Sequence, residues 1–65
     1  MGNNNKLYVD YSGGKFELWF YKNGKRKFVD GFFWDYSSVE LYYNKSPFVG
    51  IVLTNEAKEW KKIKS

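Results

Sequence analysis

WFYKNGKRKF, residues 19–28, decides how the rest of this sequence is interpreted. Asn23-Gly24 stands between two runs that carry aromatic residues at alternate positions, which predicts a β-hairpin with a two-residue type I′ turn. Four cations fall within the six residues 22–27 around the bend. The stretch therefore predicts a hairpin with a strongly basic tip.

The same alternation continues before and after this hairpin. Gly13-Gly14 predicts an earlier two-residue turn, and the two turns together predict a meander of three antiparallel strands. The predicted strands cover residues 6–12, 15–22 and 25–33. Asp30-Gly31 falls inside the third strand and indicates a β-bulge or an early strand end.

Two-residue turns fix the register of the meander and divide its side chains between two faces. Opposed residues have numbers that sum to 27 across the first turn and to 47 across the second. One face is the predicted core and comprises Leu7, Val9, Tyr11, Phe16, Leu18, Phe20, Lys27, Val29 and Gly31. The other face carries a basic row (Lys6, Tyr21, Arg26), an aromatic row (Tyr8, Trp19, Phe28) and an acidic row (Asp10, Glu17, Asp30).

Residues 35–46 fit two interpretations. A Ser-x-x-Glu pattern at residues 37–40 has the spacing of a helix capping box. Val39, Leu41 and Tyr43, on the other hand, alternate as they would in a strand. We favour the strand.

The last part of the chain predicts one strand and one helix. Residues 48–53 form a continuous apolar run, which is typical of a strand buried on both faces. In residues 55–64, Ala57 and Trp60 have helical spacing after an Asn that can act as a cap. This pattern predicts a short amphipathic C-terminal helix.

Composition limits the fold class. With 65 residues, 0 Cys and 0 His, the chain has the length of one small domain and lacks the residues of a disulfide framework or an ordinary zinc site. Aromatic residues make up 23% of it and can supply both a core and an interface. We predict a flexible tail at residues 1–5 and a β-rich α+β domain over residues 6–65. That domain is an antiparallel meander or open barrel of about five strands with a C-terminal helix.

Nothing in the sequence has the pattern of a targeting or membrane segment. Residues 1–5 have neither the basic nor the apolar region of a signal peptide, and the apolar run at residues 48–53 is much shorter than a membrane span. We therefore expect a cytoplasmic protein with no membrane partner. A monomer and a homodimer both fit the sequence.

The net charge of +4 is concentrated in two patches. Residues 22–27 carry +4, residues 56–65 carry +2 and the remainder carries −2. Basic patches of this kind suit nucleic-acid phosphate or an acidic protein partner. The candidate binding residues are taken from the hairpin tip, the basic row and the aromatic row. They are Lys6, Tyr8, Trp19, Tyr21, Lys22, Lys25, Arg26, Lys27 and Phe28.

The aromatic row has three interpretations. It is a second core covered by the C-terminal segment, with Lys6 and Arg26 at its margin, or a platform for nucleic-acid bases, or a protein-docking surface. The acidic row argues against the platform, because its carboxylates repel phosphate and one another. We expect compensation from Lys58, Lys61 or Lys62, then from Ca²⁺ or Mg²⁺, then from a register slip.

The residues give little basis for catalysis or for a cofactor. Without Cys or His, the common arrangements of nucleophile and base are missing. Carboxylates such as Asp10 and Glu17, on a solvated sheet, lack the enclosed cleft that perturbs a pKa. We expect neither an enzyme nor a cofactor, and we assign no metal ligands.

FELWFYKNGKRKF (residues 16–28), followed by TNEAKEW (residues 54–60), resembles the DNA-binding domains of tyrosine integrases, which combine a three-stranded sheet with a C-terminal helix. The resemblance covers only the hairpin and the start of the helix, residues 31–53 do not fit it, and no family is assigned. We predict a non-enzymatic module that binds nucleic acid through the hairpin tip, the aromatic row and the lysine-rich C-terminus. The alternative is a protein-interaction module, such as an inhibitor or adaptor from a phage or other mobile element, that docks through its aromatic face or a strand edge.

Overall fold

A computed structural model describes residues 5–64, which form a four-stranded mixed sheet and two helices. Along the chain the elements are β1 (Lys6–Ser12), β2 (Lys15–Lys22), β3 (Lys25–Phe28), α1 (Tyr36–Asn44), β4 (Gly50–Leu53) and α2 (Asn55–Ile63). The order across the sheet is β3-β2-β1-β4, and the sheet is open. The predicted class, a small β-rich α+β domain, is confirmed, but within residues 5–64 there are four strands where five were predicted.

The meander predicted from the two turns is present. β1 and β2 have the predicted bounds, and Trp19 lies opposite Tyr8 on one side and Phe28 on the other, as the register predicted. At the second turn Asn23 and Gly24 have φ values of 55° and 78°, the left-handed conformations that a type I′ turn requires. Because opposed residues share a face, this register also determines which side chains lie together.

The third strand ends at Phe28, earlier than predicted. Val29 N still donates a hydrogen bond to Leu18 O at 2.9 Å, but the next bridge joins Phe16 to Phe33. The chain between these two points bulges out of the ladder. The bulge or strand end indicated by the Asp-Gly pair is therefore confirmed.

Two face assignments change because of this bulge. Phe33, not Gly31, lies opposite Phe16, so the assignment of Gly31 to the core is wrong. Gly31 has φ 142°, and a Cβ there would lie 3.1 Å from the Phe33 ring, so the bulge needs a glycine. Asp30 lies outside β3, and its predicted place beside Glu17 in the acidic row is also wrong.

α1 occupies the segment for which we favoured a strand, and that interpretation is wrong. Asp35 is the N-cap, two residues before the predicted capping box, and its Oδ1 accepts hydrogen bonds from Ser38 N (3.1 Å) and Ser38 Oγ (3.0 Å). Tyr36 and Val39, three residues apart on one side of the helix, are buried, whereas Leu41 is 61% exposed. The buried residues therefore repeat at the spacing of a helix, and the alternation of apolar residues that suggested a strand does not correspond to burial.

β4 is an edge strand, so the prediction that it is buried on both faces is wrong. Ile51 and Leu53 pack against the core, while Val52 between them is 38% exposed on the other face. β4 runs parallel to β1, with Leu7 opposite Ile51 and Tyr8 opposite Val52. The antiparallel meander does not continue here because the connection through α1 carries the chain from β3 to the far side of β1.

The start of the described chain belongs to the sheet. The carbonyl oxygen of Asn5, a residue assigned to the predicted flexible tail, accepts a hydrogen bond from Val49 N at 2.9 Å. This bond continues the contact between β1 and β4 beyond the strand ends. The rest of the predicted tail, residues 1–4, lies outside the described residues.

The core lies on one side of the sheet. Leu7, Val9, Phe16 and Leu18 point to this side and are at most 1% exposed. The other buried residues come from both helices and from the segment before α1, and they are Phe33, Tyr36, Val39 and Ala57. Each large apolar side chain buried here contributes roughly 1.5–3 kcal/mol to the stability of the fold. Both helices therefore cover the same face of the sheet.

α2 is the predicted C-terminal helix, although its N-cap is Thr54 and not the Asn that follows it. Thr54 Oγ1 accepts a hydrogen bond from Ala57 N (3.2 Å) and donates one to Asp10 Oδ1 (2.7 Å). The Trp60 ring stacks on Tyr11 with the centroids 4.5 Å apart. Neither of the two helices in residues 5–64 has the length and apolar character needed to cross a membrane.

Tyr36 joins the two helices at the edge of the core. Its backbone N donates a hydrogen bond to Lys64 O at 2.7 Å, and Lys61 Nζ lies 5.0 Å from its ring centroid. Burial raises the pKa of the Tyr36 phenol above its ordinary value, and the nearby Glu40 and Tyr43 raise it further. The folded state thus favours the neutral phenol. This contribution to stability is complete below about pH 10 and is lost as the pH rises through the folded-state pKa.

Replacing Gly24 by Val tests the turn that fixes the register. A Cβ at Gly24 would meet no atom within 4 Å, so the expected loss of about 1–3 kcal/mol comes from backbone strain alone. Chemical denaturation measures it. Gly50→Ala is the control, because its Cβ would make an ordinary 3.6 Å contact with Lys6 Cγ and its backbone is unstrained. Equal losses in the two variants would contradict the type I′ turn.

Thr54→Ala should destabilise the protein by about 0.5–2 kcal/mol, because it removes the N-cap of α2. The same change removes the hydrogen bond to Asp10. Thr54→Ser keeps a hydroxyl at the same position and should recover most of this loss. Urea denaturation of the three proteins measures the difference. If Ser and Ala variants are equally unstable, the hydroxyl is not what stabilises this junction.

Candidate nucleic-acid interface

Within residues 5–64, no helix or strand lies over the face of the sheet opposite the helices. Side chains alternate along each strand, so the neighbours of Leu7 and Val9 point away from both helices. Tyr21, Phe28 and Val52 are 52%, 61% and 38% exposed. We call this surface the open face, and it consists of Lys6, Tyr8, Asp10, Lys15, Glu17, Trp19, Tyr21, Arg26, Phe28 and Val52. The interpretation of the aromatic row as a second core under the C-terminal helix is therefore wrong.

The aromatic row is a continuous set of rings. The Tyr8 and Trp19 rings are within 13° of parallel with centroids 5.9 Å apart, and the centroids of Trp19 and Phe28 are 6.3 Å apart. Tyr21 of the basic row meets Tyr8 edge to face at 5.5 Å. Val52, opposite Tyr8, extends the row onto β4. An apolar stripe thus crosses all four strands of the sheet.

Two cations lie at one margin of the aromatic row. The guanidinium carbon of Arg26 is 5.3 Å from the Trp19 ring centroid and 5.4 Å from that of Phe28, which is within cation–π range. The aliphatic stem of Lys6 lies over Gly50, the residue opposite it on β4. The Arg26 charge is therefore held over the rings, and Lys6 lies in the same basic row.

Trp19 has a hydrogen-bond donor that finds no acceptor. Its Nε1 is buried and is the one buried side-chain nitrogen or oxygen in residues 5–64 that lacks a hydrogen-bond partner. Leaving such a donor unpaired costs about 1–3 kcal/mol. The ring lies between Tyr8 and Phe28, beneath Arg26.

The basic hairpin tip is divided between the two faces of the sheet. Arg26 points to the open face, whereas alternation directs Lys22, Lys25 and Lys27 to the other side. There they line an open depression of about 560 Å³ together with Phe20 and Asn23. Of the nine candidate residues, six therefore share the open face and three lie behind it.

Asp10 and Glu17 lie directly opposite one another on the open face, and we call them the acidic pair. Asp10 Oδ1 accepts hydrogen bonds from Tyr11 N (2.8 Å) and Thr54 Oγ1 (2.7 Å), and Glu17 Oε2 lies 3.4 Å from Lys15 Nζ. These contacts, and not the predicted lysines of α2, compensate the two carboxylates. In the part of the chain that the structure describes, no group of three or more acidic side chains is arranged to hold a metal ion.

Sequence reasoning missed a second exposed aromatic pair, in the connection between β3 and α1. Phe32 and Trp34 are 71% and 56% exposed, and their rings stack with centroids 5.7 Å apart and planes within 6°. Phe33 between them is buried against β2, so its neighbours are directed outward. The alternation around Phe33 is the only sequence signal for this pair.

No family model, curated protein or solved structure matches this chain. The described sheet also departs from the three-stranded sheet implied by the resemblance to tyrosine integrases. It has a fourth strand, β4, which is parallel to β1 and follows an additional helix. Function is therefore inferred from the geometry of the open face itself.

The two faces of the sheet should respond differently to truncation of a phenylalanine. Phe16, which is 1% exposed, leaves a cavity when replaced by Ala, and the loss should be roughly 3–5 kcal/mol. Phe28 is 61% exposed, and Phe28→Ala should change stability by no more than about 0.5 kcal/mol. Denaturant midpoints measure both. A Phe28→Ala variant as unstable as Phe16→Ala would show that the open face is covered.

Proposed function

We propose that this chain binds single-stranded nucleic acid on its open face. The observation that carries the proposal is the aromatic row on the open face, in which Phe28 is exposed and Tyr8 and Trp19 are half-buried, beside Lys6 and Arg26. Unpaired bases stack on exposed rings with little regard to sequence, and a four-stranded sheet can take up two or three bases in this way. The ring centroids, 5.9 and 6.3 Å apart, offer adjacent stacking positions for such a run of bases.

The charges of the open face determine where the phosphates would lie. The basic row borders the rings on one side and the acidic pair borders them on the other. Phosphate is attracted to the first margin and repelled by the second. The nucleic-acid backbone would therefore run across the strands along the basic row. Lys22, Lys25 and Lys27, behind the face, would strengthen the attraction at this end without touching the bases.

Arg26 would change partners when a base binds. Its guanidinium now lies over the Trp19 and Phe28 rings, which are the ring faces that bases require. A phosphate oxygen offers this guanidinium charge-assisted hydrogen bonds, which are stronger than a cation–π contact at an exposed site. Binding would thus exchange one contact of Arg26 for a better one and uncover the rings, including the unpaired Nε1 of Trp19.

A protein partner is the second candidate, and the exposed pair Phe32 and Trp34 favours it. These rings are bordered in the sequence by Asp30 and Asp35, whose carboxylates repel phosphate. Exposed tryptophan is a frequent anchor in protein interfaces. The two candidates differ in salt dependence, since phosphate contacts release counterions and an aromatic protein interface does not.

Fluorescence anisotropy of a labelled oligothymidylate tests the proposal. Affinity should fall steeply as salt is raised, and Arg26→Gln should flatten the logarithmic salt slope by about 0.7, because one phosphate is no longer neutralised. Lys62→Gln, on the exposed side of α2, removes the same charge away from the open face and should leave the slope nearly unchanged. If both variants change the slope equally, net charge and not the open face is responsible.

Trp19→Ala should remove roughly 1–3 kcal/mol of binding free energy for the base that stacks on Trp19. The same anisotropy assay measures the loss, and circular dichroism confirms that the variant is folded. Phe32→Ala, which truncates an exposed ring outside the open face, is the control and should bind like the parent. Absence of any oligothymidylate binding by the parent at low salt would refute the proposal and favour the protein partner.

A further inference from the structure

The charges of the open face run from basic to acidic along the strands, except that Lys15, next to the acidic pair, is ion-paired with Glu17. Along a strand, one step of two residues, about 6.7 Å, leads from the basic row to the aromatic row, and a second step leads to the acidic pair. On β1 the three positions are Lys6, Tyr8 and Asp10. Under the proposed function, nucleic acid would contact the first two positions, and the acidic pair would only repel phosphate.

A two-fold rotation about an axis along the aromatic row brings the basic row of one copy over the acidic pair of the other. Arg26, on β3, has no carboxylate directly opposite it, because the acidic pair lies on β1 and β2. The rotation turns one open face onto another, keeps the aromatic rows in contact and exchanges the two margins. Lys6 of one copy then lies near Asp10 of the other, and Tyr21 lies near Glu17. A patch that is used twice in this way is the isologous interface of symmetric dimers.

We propose that the open face docks a second copy of this chain, with the aromatic rows in contact and the basic row of each copy on the acidic pair of the other. The exposed Phe28 ring and the half-buried Tyr8 and Trp19 rings are then buried further, against the rings of the other copy. The charges fix the orientation, because the opposite arrangement places like charges together. The proposal rests on exposure and charge order, and it does not depend on nucleic-acid binding.

This dimer is expected to be weak. Four strands about 4.8 Å apart and three rows about 6.7 Å apart give a patch on the order of 300–400 Å². That is about half of the roughly 800 Å² that each partner buries in a standard stable complex. Self-association should therefore require a high protein concentration. A ligand that stacks on the same rings would compete with it.

Sedimentation equilibrium of the full chain, from micromolar to millimolar concentration, tests the dimer. The acidic variant combines Lys6→Glu with Arg26→Glu, and the basic variant combines Asp10→Asn with Glu17→Lys. Asparagine at position 10 keeps an acceptor for the Thr54 hydroxyl. Each variant alone opposes like charges across the two-fold axis and should self-associate at least roughly tenfold more weakly than the parent. An equimolar mixture should associate at least as well as the parent.

The double variant Lys58→Glu with Lys62→Glu is the matched control for the acidic variant. Both lysines lie on the exposed side of α2, and the change in net charge is the same. This control should self-associate like the parent. The proposal is overturned if the parent stays monomeric up to millimolar concentration, if the control weakens association as much as the acidic variant, or if the mixture associates no better than its components.

Oligothymidylate binding separates this proposal from the proposed function. The basic variant should keep or raise its affinity for the oligonucleotide while it loses self-association, whereas the acidic variant should lose both. A parent that dimerises but binds no oligonucleotide overturns only the proposed function. A parent that binds oligonucleotide but stays monomeric at every concentration overturns only the dimer.

Discussion

The one-sided cover of the sheet is the constraint from which the other features of this molecule follow. Leu7 and Val9, on a central strand, are fully buried, and the two nine-residue helices that bury them lie on the same side. Within residues 5–64 no further helix or strand remains to cover the opposite side. Alternation along the strands then directs Tyr8 and Trp19 outward. The burial that stabilises one face thus creates the exposure of the other.

The aromatic rings and the charged side chains of the open face favour their binding partners through different interactions. The rings gain from contact with any flat apolar partner, and this gain depends little on salt. The basic row favours phosphate and loses that attraction as salt rises. Under the two proposals, the acidic pair would keep phosphate from one margin and would set the orientation of a second copy of the chain. Under the two proposals, protein concentration and salt would decide which occupant prevails.

Sequence reasoning succeeded where neighbours in the sheet are also near neighbours in the chain. The two tight turns fix the register, and alternation then gives the aromatic row. The net charge, by contrast, was summed over consecutive residues. The four cations of the hairpin tip were therefore predicted to form one patch, although side-chain alternation places Arg26 on one face of the sheet and the three lysines on the other. The position of β4 was missed because no local pattern pairs it with β1, and Val52 was missed with it. α1 was misassigned because its apolar residues fit both periods, and the cap at Asp35 decides between them.

The parallel pairing of β4 with β1 has a consequence for the order of folding. Leu7 meets Ile51, about forty residues later, whereas β1, β2 and β3 are joined by two-residue turns. Closing the long loop costs more chain entropy than closing the hairpins, so we expect the hairpins to form before β4 docks. Val39 of α1 and Ala57 of α2 both belong to the buried core. The core is therefore complete only after both helices have packed on the same side of the meander.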